Sequence, residues 1–412
     1  MLLFALRQEE SLGDVKYYAA GLRDEAAGQR ALIEYPDVSV WPLRLIGELT
    51  ADERSFVIGF AGFCLLLDAA FCWWLVRQRA WVAYGFWLSF GLLLGPIFVT
   101  RLDLLPGLLV ATAAIWISRN QRLAAALLGV ATAVKLWPLA LATGLVGHWR
   151  SRGTWRRLAW WGGSLVVLAL ITAATSGWWR VISPLQYQTD RGLQSETVLA
   201  TPFVWLARFH SHWNIEYADS QSFEVFGTGV VAALLVTTGL TLLVAAFGLW
   251  ETARCFLVTG EPAPATARAY WLVLALLIVV TAKVFSPQYL MWVAPLVAVM
   301  LALDVPRGTH RGDARAQLRN HWQLPSIGVL LLLSAALSTY VFPLAFDDFI
   351  ADRPALGPVA ALTVRNILML ATTVIAVQWY RSARAADLLV GPADGSPTGE
   401  SVRLSGEPVG RR

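Results

Sequence analysis

The chain is dominated by long apolar stretches that short polar segments separate. From about residue 55 to residue 379 these stretches recur, many of them near the roughly 20 residues that a helix needs to cross a bilayer. They predict about eleven spans, at 55–76, 81–99, 104–118, 122–134, 136–147, 158–175, 226–249, 269–283, 288–303, 325–343 and 358–379. The stretches show no period-two alternation, which argues against a transmembrane β-barrel. We therefore predict an all-α fold, a polytopic helical bundle in a membrane.

The lengths of the stretches divide the chain further. The spans between 104 and 147 are short, as expected for tilted helices or for broken helices that line a cavity. We predict an outer loop at 1–54 and a transmembrane bundle at 55–380, which contains a second outer loop at 176–225. Residues 381–412, rich in Gly, Pro, Ser and charge, are predicted to be a disordered cytoplasmic tail.

Arginines in alternate loops set the orientation. They are Arg77, Arg79, Arg119, Arg122, Arg150, Arg152, Arg156, Arg157, Arg254, Arg268, Arg307, Arg311, Arg315, Arg319, Arg381 and Arg384. Loops enriched in arginine stay in the cytoplasm, so the intervening loops and the N-terminus face outward. An outer N-terminus without a signal peptide leads us to expect that MLLFAL ends a span that begins upstream of Met1.

Composition supports the membrane class. The chain is 57% hydrophobic and only 15% charged, whereas soluble domains carry more charge. The net charge of +5 does not indicate nucleic-acid binding, because the arginines lie in short loops between spans. Cys64, Cys72 and Cys255 have no close pair, which argues against a disulfide framework or a zinc site. No Walker A, GxGxxG or HExxH pattern occurs.

Lysine is rare and unevenly placed. The 33 basic residues include three lysines, Lys16, Lys135 and Lys283, at the outer ends of predicted spans. A GC-rich genome explains the rarity but not the placement. Lys135 and Lys283 have strongly apolar neighbours, and a charge in such surroundings is by default a hypothesis of function.

The two outer segments carry further polar residues. Asp14 precedes the helix-forming stretch AAGLRDEAAG, so one interpretation makes it a helix N-cap. The segment 178–222 contains Tyr187, Asp190, Arg191, Gln194 and Glu196, and then an amphipathic run that ends near Phe209. A long ordered loop on one face of a membrane protein often carries function.

Four cations lie at outer span ends: Arg101, Lys135, Lys283 and Arg365. Each could snorkel to the interface, which is common for a terminal lysine or arginine. Together, beside two loops that bear carboxylates, they favour a site for an anionic ligand. Phosphate is the natural candidate, because arginine binds it bidentately and lysine binds it as a point charge.

Four motifs, in this order along the chain, resemble one family. They are RLDLLP at 101–106, AVKLWP at 133–138, RGLQSE at 191–196 and KVFSPQY at 283–289. Over roughly residues 13–380 the chain is similar to the actinobacterial GT-C integral membrane glycosyltransferases. The similarity is to family 87, which includes polyprenyl-phosphate-mannose-dependent α-mannosyltransferases.

The resemblance implies a bundle of many helices with an active site at the outer membrane face. The donor would be a sugar on a lipid phosphate, and an aspartate in the first outer loop would act as base. Asp14 in GDVKYY matches that position. Two features depart from the family: Asp37 follows Glu34-Tyr35-Pro36 where a second proline is usual, and the helix before the aspartate is nearly absent.

On this basis we predict an inverting sugar transfer. Asp14 is the general base, and the cations expected at the donor phosphate are Lys135, Lys283, Arg191 and Arg365. Arg101 is expected to pair with Asp103 behind the site. The residues expected to bind sugar hydroxyls or to order the loop are Tyr187, Gln194, Glu196, Gln288 and Tyr289. No cofactor is required, although some GT-C enzymes use a metal, for which Asp14 and Glu196 would be the ligands.

The predicted partners are a polyprenyl-phosphate sugar, a cell-envelope glycolipid or glycan acceptor, and the lipid bilayer, with no nucleic acid. The protein is expected in the bacterial plasma membrane with its site on the extracytoplasmic face. One alternative is a transporter or flippase that binds an anionic lipid or solute with the same cations. It would favour an inverted repeat, and none is evident by eye. A second alternative is a noncatalytic scaffold in envelope assembly.

Overall fold

The computed structural model of the chain describes residues 9–187, 191–305 and 322–390. Its α-helices are α1 (Gly13–Ala26), α2 (Asp37–Glu48), α3 (Glu53–Arg77), α4 (Trp81–Leu94), α5 (Ile97–Thr100), α6 (Leu104–Trp116), α7 (Gln121–Val134), α8 (Arg152–Ser176), α9 (Trp178–Tyr187), α10 (Thr201–Phe209), α11 (Val230–Arg254), α12 (Pro264–Thr281), α13 (Leu290–Leu303), α14 (Gln323–Thr339), α15 (Phe346–Ile350) and α16 (Leu356–Val390). Two strands, β1 (Asn214–Ala218) and β2 (Ser222–Phe226), complete the regular structure apart from short 3-10 and π turns. Asp190, the predicted inner arginines Arg307, Arg311, Arg315 and Arg319, and residues 391–412 lie outside the described residues.

Within the described ranges, six helical stretches are long and apolar enough to cross a membrane. They are Glu53–Arg77, Arg152–Ser176, Val230–Thr259, Pro264–Thr281, Gln323–Leu344 and Leu356–Asp387. Four more apolar helices have 10–17 residues, about 15–26 Å at 1.5 Å per residue, which is less than the roughly 30 Å of a bilayer core. The helical membrane class is confirmed, whereas the count of eleven spans stays a prediction.

The core lies around α12 and α13. In the apolar stretch of α12, 83% of the residues are buried, against 6% in α8. Nearly every residue of α13 is buried as well. By contrast α8 and α11 expose large apolar side chains, among them Val166, Leu170 and Leu242. Apolar surface of this kind suits contact with lipid tails, which are as apolar as leucine.

Small residues let the central helices approach closely. Gly107 of α6 lies against the backbone carbonyl of Met291 in α13, where an added methyl group would overlap the carbonyl oxygen. Close backbone contact at glycine is typical of helix packing in membranes. The short helix α6, which carries the RLDLLP motif, is thereby held against the centre of the bundle.

One predicted span is not an α-helix. Lys135 ends α7 in an extended conformation, with φ −152° and ψ 141°. The following segment, Trp137–Leu145, is a 3-10 helix, about 18 Å long at 2 Å per residue. Its Gly144 leaves no room for a side chain beside Trp271. The predicted span at 136–147 thus contains a 3-10 helix in place of an α-helix, and α11 begins at Val230, a few residues after the predicted start at 226.

Both segments predicted as outer loops contain regular structure. The first folds into α1 and α2, which pack against each other and against α3. The second contains α9, α10 and an antiparallel hairpin in which Asn214 pairs with Phe226 and Ala218 with Ser222. Gln194 extends this hairpin by a single bridge to Glu224. The loop that bears Glu196 is thus attached to a small sheet.

The tail is ordered further than predicted. Helix α16 continues to Val390, so the prediction of disorder is wrong for residues 381–390. Tertiary contacts stabilise this extension: Arg384 pairs with Glu251 at 2.6 Å, and Asp387 accepts a hydrogen bond from the Ala263 amide at 3.0 Å.

Candidate functional site

Asp14 lies in the first turn of α1. The chain enters α1 through a 3-10 turn, Glu9–Leu12, so the N-cap is Leu12 and the prediction that Asp14 caps the helix is wrong. Instead, Asp14 Oδ2 lies 3.0 Å from Arg101 Nη1. The Asp14 side chain is 35% exposed and the Arg101 side chain only 7%. An accessible carboxylate is thus held by a buried guanidinium.

Asp103 has different partners from those predicted. It accepts hydrogen bonds from Lys135 Nζ at 2.5 Å and from Trp292 Nε1 at 2.6 Å. The expected pair between Arg101 and Asp103 is therefore wrong. The two residues flank a turn between α5 and α6, with extended backbone at Arg101 and helical backbone at Asp103. This change of backbone direction explains why they reach opposite partners.

An aromatic stack flanks Lys135. The rings of Trp137 and Trp292 stack with centroids 5.0 Å apart, and those of Tyr289 and Trp292 with centroids 3.9 Å apart. Lys135 Nζ lies 5.3 Å from the Trp292 centroid and 5.6 Å from that of Tyr289. Cation–π attraction adds to the ion pair with Asp103, so the ammonium is held from two directions. The Lys135 side chain remains 26% exposed.

Glu196 and Arg365 form a buried pair. Arg365 Nη2 donates to the Glu196 carbonyl at 2.8 Å and lies 3.4 Å from Glu196 Oε2. Arg365 is fully buried, with its guanidinium 4.0 Å from the Phe285 ring centroid, so it does not snorkel to an interface. Burial raises the pKa of the Glu196 carboxyl to about 7, against the opposing pull of Arg365 and Arg101.

Lys283 binds the loop that carries Arg191. Its Nζ donates to the Arg191 carbonyl at 2.7 Å, and its own carbonyl accepts from the Gln194 amide at 3.0 Å. The Ser195 amide donates to Phe223 in β2 at 2.9 Å. Lys283 and the hairpin together therefore position the segment from Arg191 to Glu196.

Arg101 lies between two of these pairs. Its charge acts on both Tyr18 and Glu196, which links the Asp14 pair to the Arg365 pair. The charges of Arg191 and Asp103 act on the Tyr289 hydroxyl, which indicates that these residues lie near it. Gln288 lies beside Tyr289 and accepts a hydrogen bond from Ser286 Oγ at 3.1 Å. Tyr187 ends α9, but its side chain lies outside the described part of the structure.

Four residues near these pairs, Tyr17, Tyr18, Glu34 and Tyr35, had no predicted role. Tyr35 donates a hydrogen bond to Tyr18 at 3.4 Å, beneath Asp14. Burial raises the pKa of Glu34, against a hydrogen bond from Tyr17 and the charge of Arg191. A glutamate next to a tyrosine in an outer segment was the available signal, since Glu34-Tyr35-Pro36 stands out in the sequence.

A second ionic network lies beside the cluster, and the sequence did not reveal it. Asp37 lies 2.8 Å from Arg44 and 3.4 Å from Arg180, and Glu25 lies 3.1 Å from each of these arginines. Burial opposes ionisation of Asp37, but hydrogen bonds from Arg44 and Trp41 hold its pKa below the usual value. Asp37 stands where the resembled family has proline, so the departure has a structural use: it ties α2 to α9.

A resident metal does not fit the two carboxylates that would bind it. Asp14 and Glu196 each face an arginine, at 3.0 and 3.4 Å, and a guanidinium repels a divalent cation. Across the described ranges, no group of three or more His, Cys, Asp or Glu side chains is placed to hold an ion.

Comparison with known proteins adds no relative. No family model, no curated protein and no solved structure matches the chain.

Proposed function

We propose that the protein is a membrane glycosyltransferase that moves a sugar from a polyprenyl-phosphate donor to a cell-envelope glycolipid or glycan. One observation carries the proposal. Asp14 is an accessible carboxylate that contacts Arg101, and Arg101 belongs to a set of mostly buried cations, with Lys135 and Arg365, that distant parts of the chain contribute. A base next to cations is what transfer from a phosphate-linked donor requires.

In the proposed reaction Asp14 removes the proton from an acceptor hydroxyl. The hydroxyl oxygen bonds to the anomeric carbon as the bond from that carbon to the phosphate oxygen breaks, and the configuration inverts. The electron pair of the broken bond leaves with the lipid phosphate, and Asp14 keeps the proton. General-base assistance of this kind contributes about 10²–10⁴-fold to the rate. Arg101, whose Nη1 lies 3.0 Å from Asp14 Oδ2, keeps Asp14 in place.

The leaving phosphate gains negative charge, which nearby cations stabilise. Lys135 suits this role best, because its ammonium is partly exposed while the other side of the group is fixed by Asp103. Arg191, and Lys283, which donates a hydrogen bond to the Arg191 carbonyl, are the next candidates. Arg365 is fully buried against Glu196. Its proposed role is therefore to hold the loop that bears Glu196, and not to contact the phosphate.

The donor's polyprenyl chain would stay in the bilayer while its sugar reaches the cluster. The proposal therefore includes a location in the bacterial plasma membrane, with the cluster at the extracytoplasmic face. The sugar is proposed to be mannose on the basis of the family resemblance alone. The reaction needs no metal and no organic cofactor.

Transfer by the purified protein in detergent tests this function against transport. The protein is incubated with radiolabelled polyprenyl-phosphate mannose and a lipid extract of the bacterial envelope. A transferase moves the label to a new glycolipid and releases polyprenyl phosphate, although detergent leaves no compartment to transport into. Recovery of intact donor under conditions in which the protein remains folded would overturn the proposal and favour a transporter or flippase.

A further inference from the structure

A large cavity lined by both charged and apolar residues lies at the far end of the helix that bears Asp14. It has a volume of about 970 Å³ and lies among the last turns of α1, the end of α2, the start of α3, the end of α8 and Trp179 of α9. This volume is at the upper end of the range for ligand pockets. Asp14 does not line the cavity, so it is separate from the cluster of the proposed reaction.

The charges that line the cavity nearly cancel, with three arginines and four carboxylates. Most are engaged with one another: Arg23 lies 3.3 Å from Glu53, and Arg44 lies 3.1 Å from Glu25. Asp52 accepts a hydrogen bond from the Ser55 amide at 2.7 Å. The small excess of negative charge offers little attraction to an anionic ligand, whereas a neutral ligand with many hydroxyl groups would find both donors and acceptors among these side chains.

An aromatic ring completes the lining. Trp179 is half-buried at the cavity wall, with the Arg30 guanidinium 5.0 Å and the Arg180 guanidinium 5.4 Å from its ring centroid. A rigid aromatic surface beside hydrogen-bonding side chains suits a sugar ring, which has apolar C–H groups on its faces and hydroxyls at its edge. Glu48, which is exposed and also lines the cavity, supplies a further acceptor for hydroxyls.

We propose that this cavity binds a neutral carbohydrate chain. The position of the cavity on α1 suggests what the bound carbohydrate is for. The helix carries Asp14 in its first turn and Arg23, which lines the cavity, in its last turn. The two residues are about 14 Å apart along the helix axis. A short oligosaccharide held in the cavity would reach the cluster with its terminal sugar. The binding claim stands on the residues of the cavity, whereas its use as the anchor for the acceptor rests on the proposed function.

Two adjacent tryptophans provide a matched pair of variants. Trp179 lines the cavity, while Trp178 is 62% exposed and does not. Binding of an α-linked mannotriose to the full chain in nanodiscs is measured by saturation-transfer NMR and by competition. Trp179→Ala should raise the Kd about tenfold, as expected when an aromatic anchor is truncated. Trp179→Phe should raise it less, and Trp178→Ala should leave it unchanged.

The charge of the probe gives a second test. Sialyllactose, an anionic trisaccharide of similar size, should bind more weakly than mannotriose. Absence of mannotriose binding, equal losses in the two alanine variants, or preference for sialyllactose would each overturn the inference. Melting curves of all variants in detergent show whether a loss of binding reflects unfolding. Glu48→Gln is a second variant of the cavity, and it changes an exposed residue.

The two proposals fail in different ways. Asp14→Asn should abolish sugar transfer and leave mannotriose binding intact, because Asp14 lies outside the cavity. Binding that depends on Trp179 without any transfer by the native chain would refute the proposed function and keep the cavity assignment. Transfer that Trp179→Ala leaves unchanged, together with unchanged binding, would refute the cavity assignment alone.

Discussion

Single residues in this protein act in pairs that cross the bundle. Lys135 and Asp103 are 32 positions apart, and Glu196 and Arg365 are 169 apart. Each pair has a carboxylate that is almost fully buried, so each charge depends on its partner. Removing one member of such a pair leaves an uncompensated charge, which commonly costs about 3–5 kcal/mol.

The Lys135–Asp103 pair separates a structural effect from a catalytic one. Lys135→Met should lower the melting temperature in detergent, because the buried Asp103 carboxylate loses its cation. Adding Asp103→Asn should restore much of that loss, because the buried charge is removed as well. Sugar transfer should stay lost in both variants if the donor phosphate needs the Lys135 ammonium. Additive melting-temperature losses, or recovery of transfer in the double variant, would contradict this assignment.

Glu196 should make stability depend on pH. Its carboxyl has a folded-state pKa of about 7 against an ordinary value of 4.5, so the folded protein holds a proton that the unfolded chain releases. This contribution to stability is fully present below about pH 4.5 and is lost as the pH rises to about 7. Melting temperatures of the native chain should therefore fall relative to those of Glu196→Gln across this window. A difference in melting temperature between the two proteins that does not change with pH would rule out a raised pKa at Glu196.

At the scale of elements, the hairpin shows why part of the site was not predictable. Its strands have five residues each, and the turn between them places Gln221 at φ +58° where glycine or asparagine is usual. Neither a clear alternation nor a turn motif marks it in the sequence. The hairpin nevertheless positions Glu196, because Gln194 and Ser195 bond to β2 and to Lys283.

The contact of α6 with α13 should tolerate no side chain at Gly107. Gly107→Ala would force α6 away from the Met291 carbonyl and displace Asp103 at the start of the same helix. We expect a lower melting temperature and reduced transfer. Gly163→Ala in α8 is the matched control, because a methyl group there meets open space; its effect should stay within about 1 kcal/mol. Equal effects of the two changes would argue against close packing at Gly107.

At the scale of the whole molecule, the apolar stretches predicted where helices form but not how deeply each is buried. α8 and α12 have the same mean hydropathy of 1.7, yet one lies at the rim and the other in the core. Asp103, Lys135 and Arg365, charges that the sequence places at span ends, lie in ion pairs inside the bundle. Their partners could not be predicted, because pairing depends on packing between segments far apart in the chain. The network around Arg180 was missed for the same reason.

The central claim, that Asp14 is the base of a sugar transfer, is tested most directly by Asp14→Asn. Membranes that contain the variant are supplied with labelled polyprenyl-phosphate mannose, beside Asp24→Asn, which changes an exposed aspartate on the same helix. We predict that Asp14→Asn slows transfer by at least about 100-fold while Asp24→Asn transfers at the native rate. Native transfer by Asp14→Asn in folded protein would contradict the account.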